Sequence, residues 1–196
     1  MKQDHERKIM YATVCAVISL LPGFAFAHPG HGGGGFLEGL AHPFTGLDHV
    51  VGMTSMGIWA SLAASVRQRI GVLMAFLSGM LMGASMGVLG MAPDGVESTL
   101  MASVLATGTL LLWAKPFPML VRVCVATSFA LWHGLAHGLE IPLRTSPSSY
   151  FSGFLLATGF LLCFGVLLGQ WVRRSETRTR WVGLGVFAFA WVGMGG

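Results

Sequence analysis

The sequence predicts an all-α protein, a polytopic membrane bundle of six transmembrane helices that follows a cleaved signal peptide. Three observations support this fold class. Of the 196 residues, 54% are hydrophobic and only 10% are charged, whereas soluble domains contain about 25% charged residues. The apolar residues fall in long blocks. The mean hydropathy is +0.69, which argues against a water-soluble globular domain.

Residues 1–27 are predicted to be the signal peptide. A polar, basic stretch (1–8) precedes an apolar stretch (9–24), and Ala25-Phe26-Ala27 forms an A-x-A cleavage site. The alternative is an uncleaved first transmembrane helix. Cleavage would leave residues 28–35 as a flexible, glycine-rich periplasmic N-terminus that contains His28 and His31. The α-amine and imidazole of His28 would then form a chelating pair for a late first-row metal, although a simple linker has the same composition.

Six apolar blocks follow and define the predicted transmembrane domain, residues 36–196. They cover 36–64, 70–91, 97–114, 117–139, 150–172 and 181–195. About 20 apolar residues are needed to cross the hydrocarbon core. The first five blocks meet this length or nearly so, while the sixth must cross with little tilt or thin the bilayer. Gly79, Gly83 and Gly87 in the second block form a ridge of small residues that lets a neighbouring helix approach closely.

The basic residues predict the orientation in the membrane. If the mature N-terminus is periplasmic, the outer connections contain Arg144 alone. The inner side then holds eight basic residues: Arg67, Arg69, Lys115, Arg122, Arg173, Arg174, Arg178 and Arg180. This bias follows the positive-inside rule and predicts a multi-pass protein of the bacterial inner membrane. Because the basic residues lie in short clusters between apolar blocks, the net charge of +4 does not indicate nucleic-acid binding.

Ionisable side chains interrupt two of the apolar blocks. The first block contains Glu38, His42, Asp48 and His49, and the fourth ends with His133, His137 and Glu140. An ionisable group at the bilayer centre costs at least about 2.5–3.5 kcal/mol, so it usually faces a cavity or a partner. Neither group has a Lys or Arg within its own stretch. A divalent metal bound by neutral imidazoles and carboxylates would supply the missing positive charge.

Helical spacing predicts that these ligands converge. His133, His137 and Glu140 follow an i, i+4, i+7 pattern and share one face, as would Glu38, His42 and His49. In the predicted topology His42 lies roughly 9 Å below residue 36, and His133 lies roughly 10 Å below Glu140. Both groups therefore occupy the outer half of the membrane.

Within the first block, Asp48 and His49 are expected to differ from His42 in membrane depth and in local geometry. Asp48 and His49 lie deeper than His42, roughly 18–20 Å from the start of the helix. Asp48 is rotated by about 100° from His49, so it either serves a neighbouring site or holds an imidazole in place. Pro43 and Gly46 are expected to interrupt the helix between His42 and Asp48.

Two stretches resemble motifs of the HupE/UreJ family. His42-Pro43-Phe44-Thr45-Gly46-Leu47-Asp48-His49 is similar to the family's HPxxGxDH element. Trp132-His133-Gly134-Leu135-Ala136-His137-Gly138-Leu139-Glu140 is similar to its FHGxAHGxE element, with Trp132 in place of the usual Phe. The resemblance covers the whole mature chain.

The resemblance implies a nickel or cobalt permease connected with hydrogenase or urease maturation. The expected metal ligands are His28, His31, His42, Asp48, His49, His133, His137 and Glu140. The implied cargo is Ni²⁺ or Co²⁺, taken up from the periplasm, with no prosthetic group and no enzymatic activity. The lipid bilayer and the metal ion are the expected partners, and the sequence does not define an oligomeric state.

Other functions remain open at the level of the residues. His133 and His137 also resemble one His-box of a di-iron membrane hydroxylase or desaturase, although such enzymes need more histidines at the cytoplasmic face. One histidine from each helix could ligate a haem. A metal sensor or metallochaperone partner would bind the ion without transporting it. A metalloprotease is not expected because the sequence contains no H-E-x-x-H.

Overall fold

The computed structural model describes residues 35–143 and 145–195, and these residues are almost entirely helical. The described part contains no β-strand, and the predicted all-α class is confirmed. The predicted signal peptide, the N-terminal tail with His28 and His31, and Arg144 lie outside the described residues.

Seven α-helices make up the described part of the chain. They are α1 Gly35–Ala41, α2 Leu47–Ser61, α3 Val66–Val88, α4 Val96–Trp113, α5 Met119–Leu139, α6 Pro147–Val172 and α7 Glu176–Gly195. A 3₁₀ turn, His42–Phe44, lies between α1 and α2. The first apolar block is thus split into two helices, as Pro43 and Gly46 predicted, and each of the other five blocks forms one helix.

Four helices, α3 to α6, are long and apolar enough to cross a membrane. The protein is therefore a multi-pass membrane protein. Helices α1 and α2 are each shorter than a span. Helix α7 has 20 residues and begins five residues before the predicted block, at a charged end that includes Glu176 and Arg180. The six-span count stays a prediction.

Local chemistry accounts for several helix boundaries. The Ser65 side chain accepts a hydrogen bond from the Gln68 backbone N–H and caps the start of α3. Gly90 and Gly95 have φ values of 81° and 80° in the connection between α3 and α4, a left-handed conformation that glycine adopts without steric cost. Pro147 occupies the first turn of α6, where its missing N–H costs nothing.

The predicted glycine ridge of α3 packs directly on α5. A methyl group in place of the hydrogen on Gly83 would lie 2.0 Å from the Leu131 carbonyl oxygen. The contact is reciprocal, because a methyl group on Gly134 would lie 2.0 Å from the Met80 carbonyl oxygen. Contacts advance along both chains together, so α3 and α5 run parallel. The two glycines of the second motif therefore bring α5 against α3.

Helices α1 and α2 together run parallel to α6 over most of its length. Near the start, a methyl group on Gly153 would lie 2.1 Å from the Phe36 carbonyl oxygen, and further along one on Gly165 would lie 2.1 Å from that of Thr54. At the far end, Gly169 lies against the Ser61 side chain. The broken first block thus spans the same distance as a single 26-residue helix.

Helices α4 and α7 form a third close pair, which is antiparallel. Gly108 approaches Phe187, Gly183 approaches the backbone of Leu112, and Gly193 approaches the Met101 side chain. Helix α7 therefore accompanies the candidate span α4 along nearly all of its length. In all three pairs, the relative directions of the two helices fit a chain that alternates direction from one apolar block to the next.

Arg122 lies in the first turn of α5, at the end of the fourth block opposite its histidines, and is only 1% exposed. Its Nη1 donates to the Trp59 carbonyl oxygen (3.1 Å) and its Nε donates to that of Phe117 (3.1 Å). The guanidinium also stacks over the Trp59 ring at 4.9 Å. One carbonyl near the end of α2 and one just before α5 thus hold the buried cation.

The α3–α5 contact predicts a steric effect of one methyl group. Gly83→Ala should destabilise the bundle by about 1–3 kcal/mol, the usual cost of overpacking, because the new Cβ would lie 2.0 Å from a backbone oxygen. Gly159→Ala is the matched control, since a methyl group there would meet nothing within 4 Å. Thermal unfolding in detergent measures both. Equal midpoints for the two variants would contradict the close contact.

Candidate metal centre

Four histidines from two regions of the sequence form one cluster inside the bundle. His42 and His137 have ring centroids 4.8 Å apart, and His137 and His49 have the same separation. The His49 and His133 centroids are 5.6 Å apart. Since α5 supplies two of these rings and the first block supplies the other two, the structure brings the two motifs together, as the sequence predicted.

Three ligand atoms converge at one end of the cluster. They belong to His42, His137 and Glu140, and each of these atoms lies within 4.8 Å of the other two. The His42 Nε2 and the Glu140 Oε2 are 2.9 Å apart. His137 is fully buried, whereas Glu140 is exposed. Two imidazoles and a carboxylate in this arrangement form a donor set suited to Ni²⁺, Co²⁺ or Zn²⁺.

Asp48 fixes the orientation of His49. Its Oδ2 lies 3.0 Å from the His49 Nδ1, and an ionised carboxylate only accepts hydrogen bonds. The Nδ1–H therefore donates to Asp48, and the Nε2 keeps its lone pair. Carboxylate–histidine pairs of this kind orient metal-binding imidazoles. Of the two roles that the sequence left open for Asp48, the contact corresponds to the one that holds an imidazole in place.

Several buried nitrogen and oxygen atoms in the cluster have no hydrogen-bond partner among the described residues. They are His49 Nε2, His133 Nδ1, both ring nitrogens of His137 and the hydroxyl of Tyr150. Leaving such a group unpaired costs about 1–3 kcal/mol, so native proteins contain few of them. Their concentration around four imidazoles indicates a site built for a ligand that accepts electron pairs.

Aromatic side chains from neighbouring helices enclose the imidazoles. Phe154 of α6 stacks on His137 with a centroid separation of 4.9 Å and an interplanar angle of 17°. Tyr150 lies 5.8 Å from His42, and Phe76 of α3 lies 6.3 Å from His133. These rings restrict the rotation of the imidazoles and keep the surroundings apolar, which strengthens electrostatic interactions within the site.

The break between α1 and α2 lies between His42 and His49, and both imidazoles belong to the cluster. Their ring centroids are 6.2 Å apart. Thr45 stabilises the 3₁₀ turn at the break, because its side-chain hydroxyl donates to the His42 carbonyl oxygen at 2.7 Å. The greater depth of His49 relative to His42 stays a prediction.

Glu38 lies outside the group of three convergent ligands. Its Oε2 instead accepts a hydrogen bond from the Thr145 hydroxyl at 3.2 Å. Two residues that the sequence did not single out contact the cluster, namely Ser103, whose Oγ lies 3.0 Å from His133 Nε2, and Tyr150. A lone serine or tyrosine in an apolar block gives no periodic signal, so only the packing of α4 and α6 identifies them.

The carboxylate at the exposed end of the cluster is stabilised in its ionised form. The hydrogen bond from His42 lowers the pKa of Glu140 below its ordinary value, against the opposing effect of partial burial. Glu140 therefore keeps its negative charge to lower pH than a free glutamate and is available to a cation.

Fold and site together define a multi-pass membrane protein with a buried histidine–carboxylate cluster. The family model described as HupE / UreJ protein matches residues 16–193. Protein HupE of Rhizobium leguminosarum bv. viciae is 38% identical over 150 residues, which cover 76% of this chain and 78% of that protein. No solved structure matches the chain.

The chain belongs to the HupE/UreJ family. Proteins of this family are accessory membrane proteins rather than enzymes, and the chain is accordingly not an enzyme. The family is linked to hydrogenase and urease accessory roles.

The contact between His42 and Glu140 predicts a change in carboxylate titration. His42→Phe keeps an aromatic ring but removes the hydrogen bond, which is the largest cause of the lowered pKa of Glu140, so that pKa should rise. A ¹³C titration of glutamate-labelled, metal-free protein measures it, with Glu140→Gln identifying the signal. An unchanged midpoint in His42→Phe would contradict the proposed origin of the shift.

Proposed function

We propose that this protein is a permease that carries Ni²⁺, with Co²⁺ as the closest alternative, from the periplasm to the cytoplasm, where the ion supplies hydrogenase or urease maturation. The single observation that supports this most directly is the convergence of His42, His137 and Glu140, whose ligand atoms lie within 4.8 Å of one another. Such a donor set at membrane depth serves a cation, since the cluster consists of neutral imidazoles and carboxylates.

The choice of metal depends on the family more than on the ligands. Imidazole and carboxylate donors suit Ni²⁺, Co²⁺ and Zn²⁺ about equally, and the Irving–Williams order does not favour Ni²⁺ over Cu²⁺. The accessory roles of the family in hydrogenase and urease systems favour nickel, because maturation of those enzymes consumes it.

The contacts suggest an order of binding steps. The ion would first meet Glu140 and His42, which are the more exposed ligands. His137 touches His42 on one side and His49 on the other, so it can take part in both an outer and an inner coordination shell. His49, oriented by Asp48, would then share the ion with His133. Transport requires that each shell replaces water yet releases the ion to the next.

The N-terminal tail would precede these steps. We propose that residues 1–27 are cleaved as a signal peptide and that His28 and His31 capture the ion at the periplasmic surface. This part of the proposal depends on the sequence alone, because these residues lie outside the described part of the chain.

Helix pairing supports six membrane crossings. The two elements that fall short of a candidate span each accompany one: α1 with α2 follows α6, and α7 follows α4. Their relative directions match strict alternation of the chain. Together with the basic residues at one end of the bundle, this supports our proposal that both ends of the mature chain lie in the periplasm and that the bundle lies in the inner membrane of a bacterium.

Uptake of ⁶³Ni²⁺ tests the proposed function. Cells that express His42→Ala or Glu140→Gln should lose at least about 90% of the protein-dependent uptake, since removing even the partner that orients a metal ligand typically lowers metal affinity by about 10–100-fold. An excess of Co²⁺ should compete in the wild type.

Glu97→Gln is the matched control for this assay. Glu97 is also an acidic residue at the predicted outer side, in the first turn of α4, but it is not one of the three convergent ligands. Uptake by this variant should equal that of the wild type. If His42→Ala takes up as much ⁶³Ni²⁺ as the wild type at equal membrane abundance, the proposed function is wrong.

Reporter fusions test the predicted topology. After Ser175, between α6 and α7, only a reporter that works in the cytoplasm should be active. After Asp94, between α3 and α4, only a reporter that works in the periplasm should be active. The expected reason is the excess of basic residues around the first position. The same location for both fusions would exclude strict alternation.

A further inference from the structure

The hydroxyl of Ser103 lies between two hydrogen-bonding atoms in the bundle interior. Its Oγ is 2.7 Å from the Leu100 carbonyl oxygen and 3.0 Å from the His133 Nε2. Ser103 is 5% exposed and His133 is 2% exposed, so neither contact competes with bulk water. This serine belongs to α4, outside both motifs.

The donor and acceptor capacity of each atom determines where the protons lie. A carbonyl oxygen only accepts, so the single proton of the Ser103 hydroxyl is directed to Leu100. The serine oxygen then presents a lone pair to His133, and its 3.0 Å contact is a hydrogen bond only if the His133 Nε2 carries the proton. In this tautomer the opposite nitrogen, Nδ1, is unprotonated.

The other tautomer is less favourable in the same geometry. The His133 Nδ1 is buried and has no partner among the described residues, and a proton there would be a buried donor without an acceptor, which is costly. The serine hydroxyl would also have to turn its proton from Leu100 toward the His133 ring. The Ser103 Oγ and the Leu100 carbonyl oxygen would then lie 2.7 Å apart without a hydrogen between them.

We infer that Ser103 is a positioning residue that holds His133 in the Nε2–H tautomer and thereby leaves the Nδ1 lone pair free for a borderline divalent cation. The inference rests on the proposed function for the identity of that cation. The tautomer itself depends only on the contacts of Ser103.

Ser103 would complete a pattern that the cluster already shows. The carboxylates of Glu140 and Asp48 lie at hydrogen-bond distance from His42 and His49, and Ser103 is the corresponding partner of His133. A neutral hydroxyl orients the ring without adding a negative charge beside this buried imidazole. His133 therefore binds a cation more weakly than a carboxylate-paired imidazole would, which favours onward release.

Nitrogen NMR of the metal-free, full-length protein in detergent tests the tautomer directly. In ¹⁵N-histidine-labelled protein, protonated and unprotonated ring nitrogens have well-separated shifts, and loss of signals in His133→Gln assigns His133. The wild type should show a protonated Nε2 and a bare Nδ1. Ser103→Ala should lose this single tautomer, while Ser103→Thr, which keeps a hydroxyl, should retain it.

Ser55→Ala is the matched control for the removal of a buried serine hydroxyl. Ser55 is 1% exposed, and its hydroxyl donates to the Gly52 carbonyl three residues earlier, as that of Ser103 donates to Leu100. The His133 signals should not change in this variant. Equal changes in Ser55→Ala and Ser103→Ala would overturn the inference, because any buried serine would then have the same effect.

Titration with Co²⁺, followed by its visible absorption, measures the consequence for binding. Ser103→Ala should weaken Co²⁺ binding by about tenfold, within the range known for residues that orient metal ligands. Ser103→Thr and Ser55→Ala should bind as the wild type does. A wild-type His133 protonated on Nδ1, or Ser103→Ala with wild-type spectra and affinity, would overturn the inference.

The same experiments separate this inference from the proposed function. If the wild type binds neither Co²⁺ nor Ni²⁺, the proposed function fails. The ¹⁵N spectra of the metal-free protein still decide in that case whether Ser103 sets the tautomer of His133.

Discussion

The packing of four imidazoles in one place, three of them buried, is the constraint on which the rest of the structure depends. Each neutral ring has one N–H to donate and one lone pair, and water cannot satisfy either one in the buried rings of His49, His133 and His137. Three rings have a partner at hydrogen-bond distance, in Glu140, Asp48 and Ser103. His137 has none among the described residues. Both ring nitrogens of His137 therefore remain available to a ligand, between the rings of His42 and His49.

Close backbone contacts hold these rings at the required separation. Gly134 and Gly138 alternate with His133 and His137 along α5, so the glycines face α3 while the imidazoles face the first block. On the opposite side, the 3₁₀ turn separates His42 from His49, and the rings of both lie against His137. The sequence motifs thus contain both the ligands and the small residues that determine where the ligands lie.

Much of this arrangement could be predicted from the sequence, because apolar length and i, i+4 spacing are local properties. They located the helices, the glycine ridge and the break near Pro43, and they placed His133 and His137 on one face. Residues that act across helices could not be predicted. Ser103 and Tyr150 contact the histidines only because α4 and α6 pack beside them, and a hydrophobic pattern does not encode which helices are neighbours. The burial of Arg122 could not be predicted either, because charge alone does not show that backbone carbonyls can satisfy a buried guanidinium.

The guanidinium of Arg122 gives the bundle an electrical asymmetry along its axis. Carboxylates lie at the histidine end, and a fixed cation closes the other end of α2. Ten residues of helix separate His49 from Trp59, or about 15 Å. At an effective dielectric constant of about 20, a dication at that distance is repelled by about 2 kcal/mol. A dication in the histidine cluster would therefore be repelled from the Arg122 end of the bundle and attracted to the carboxylates at the histidine end.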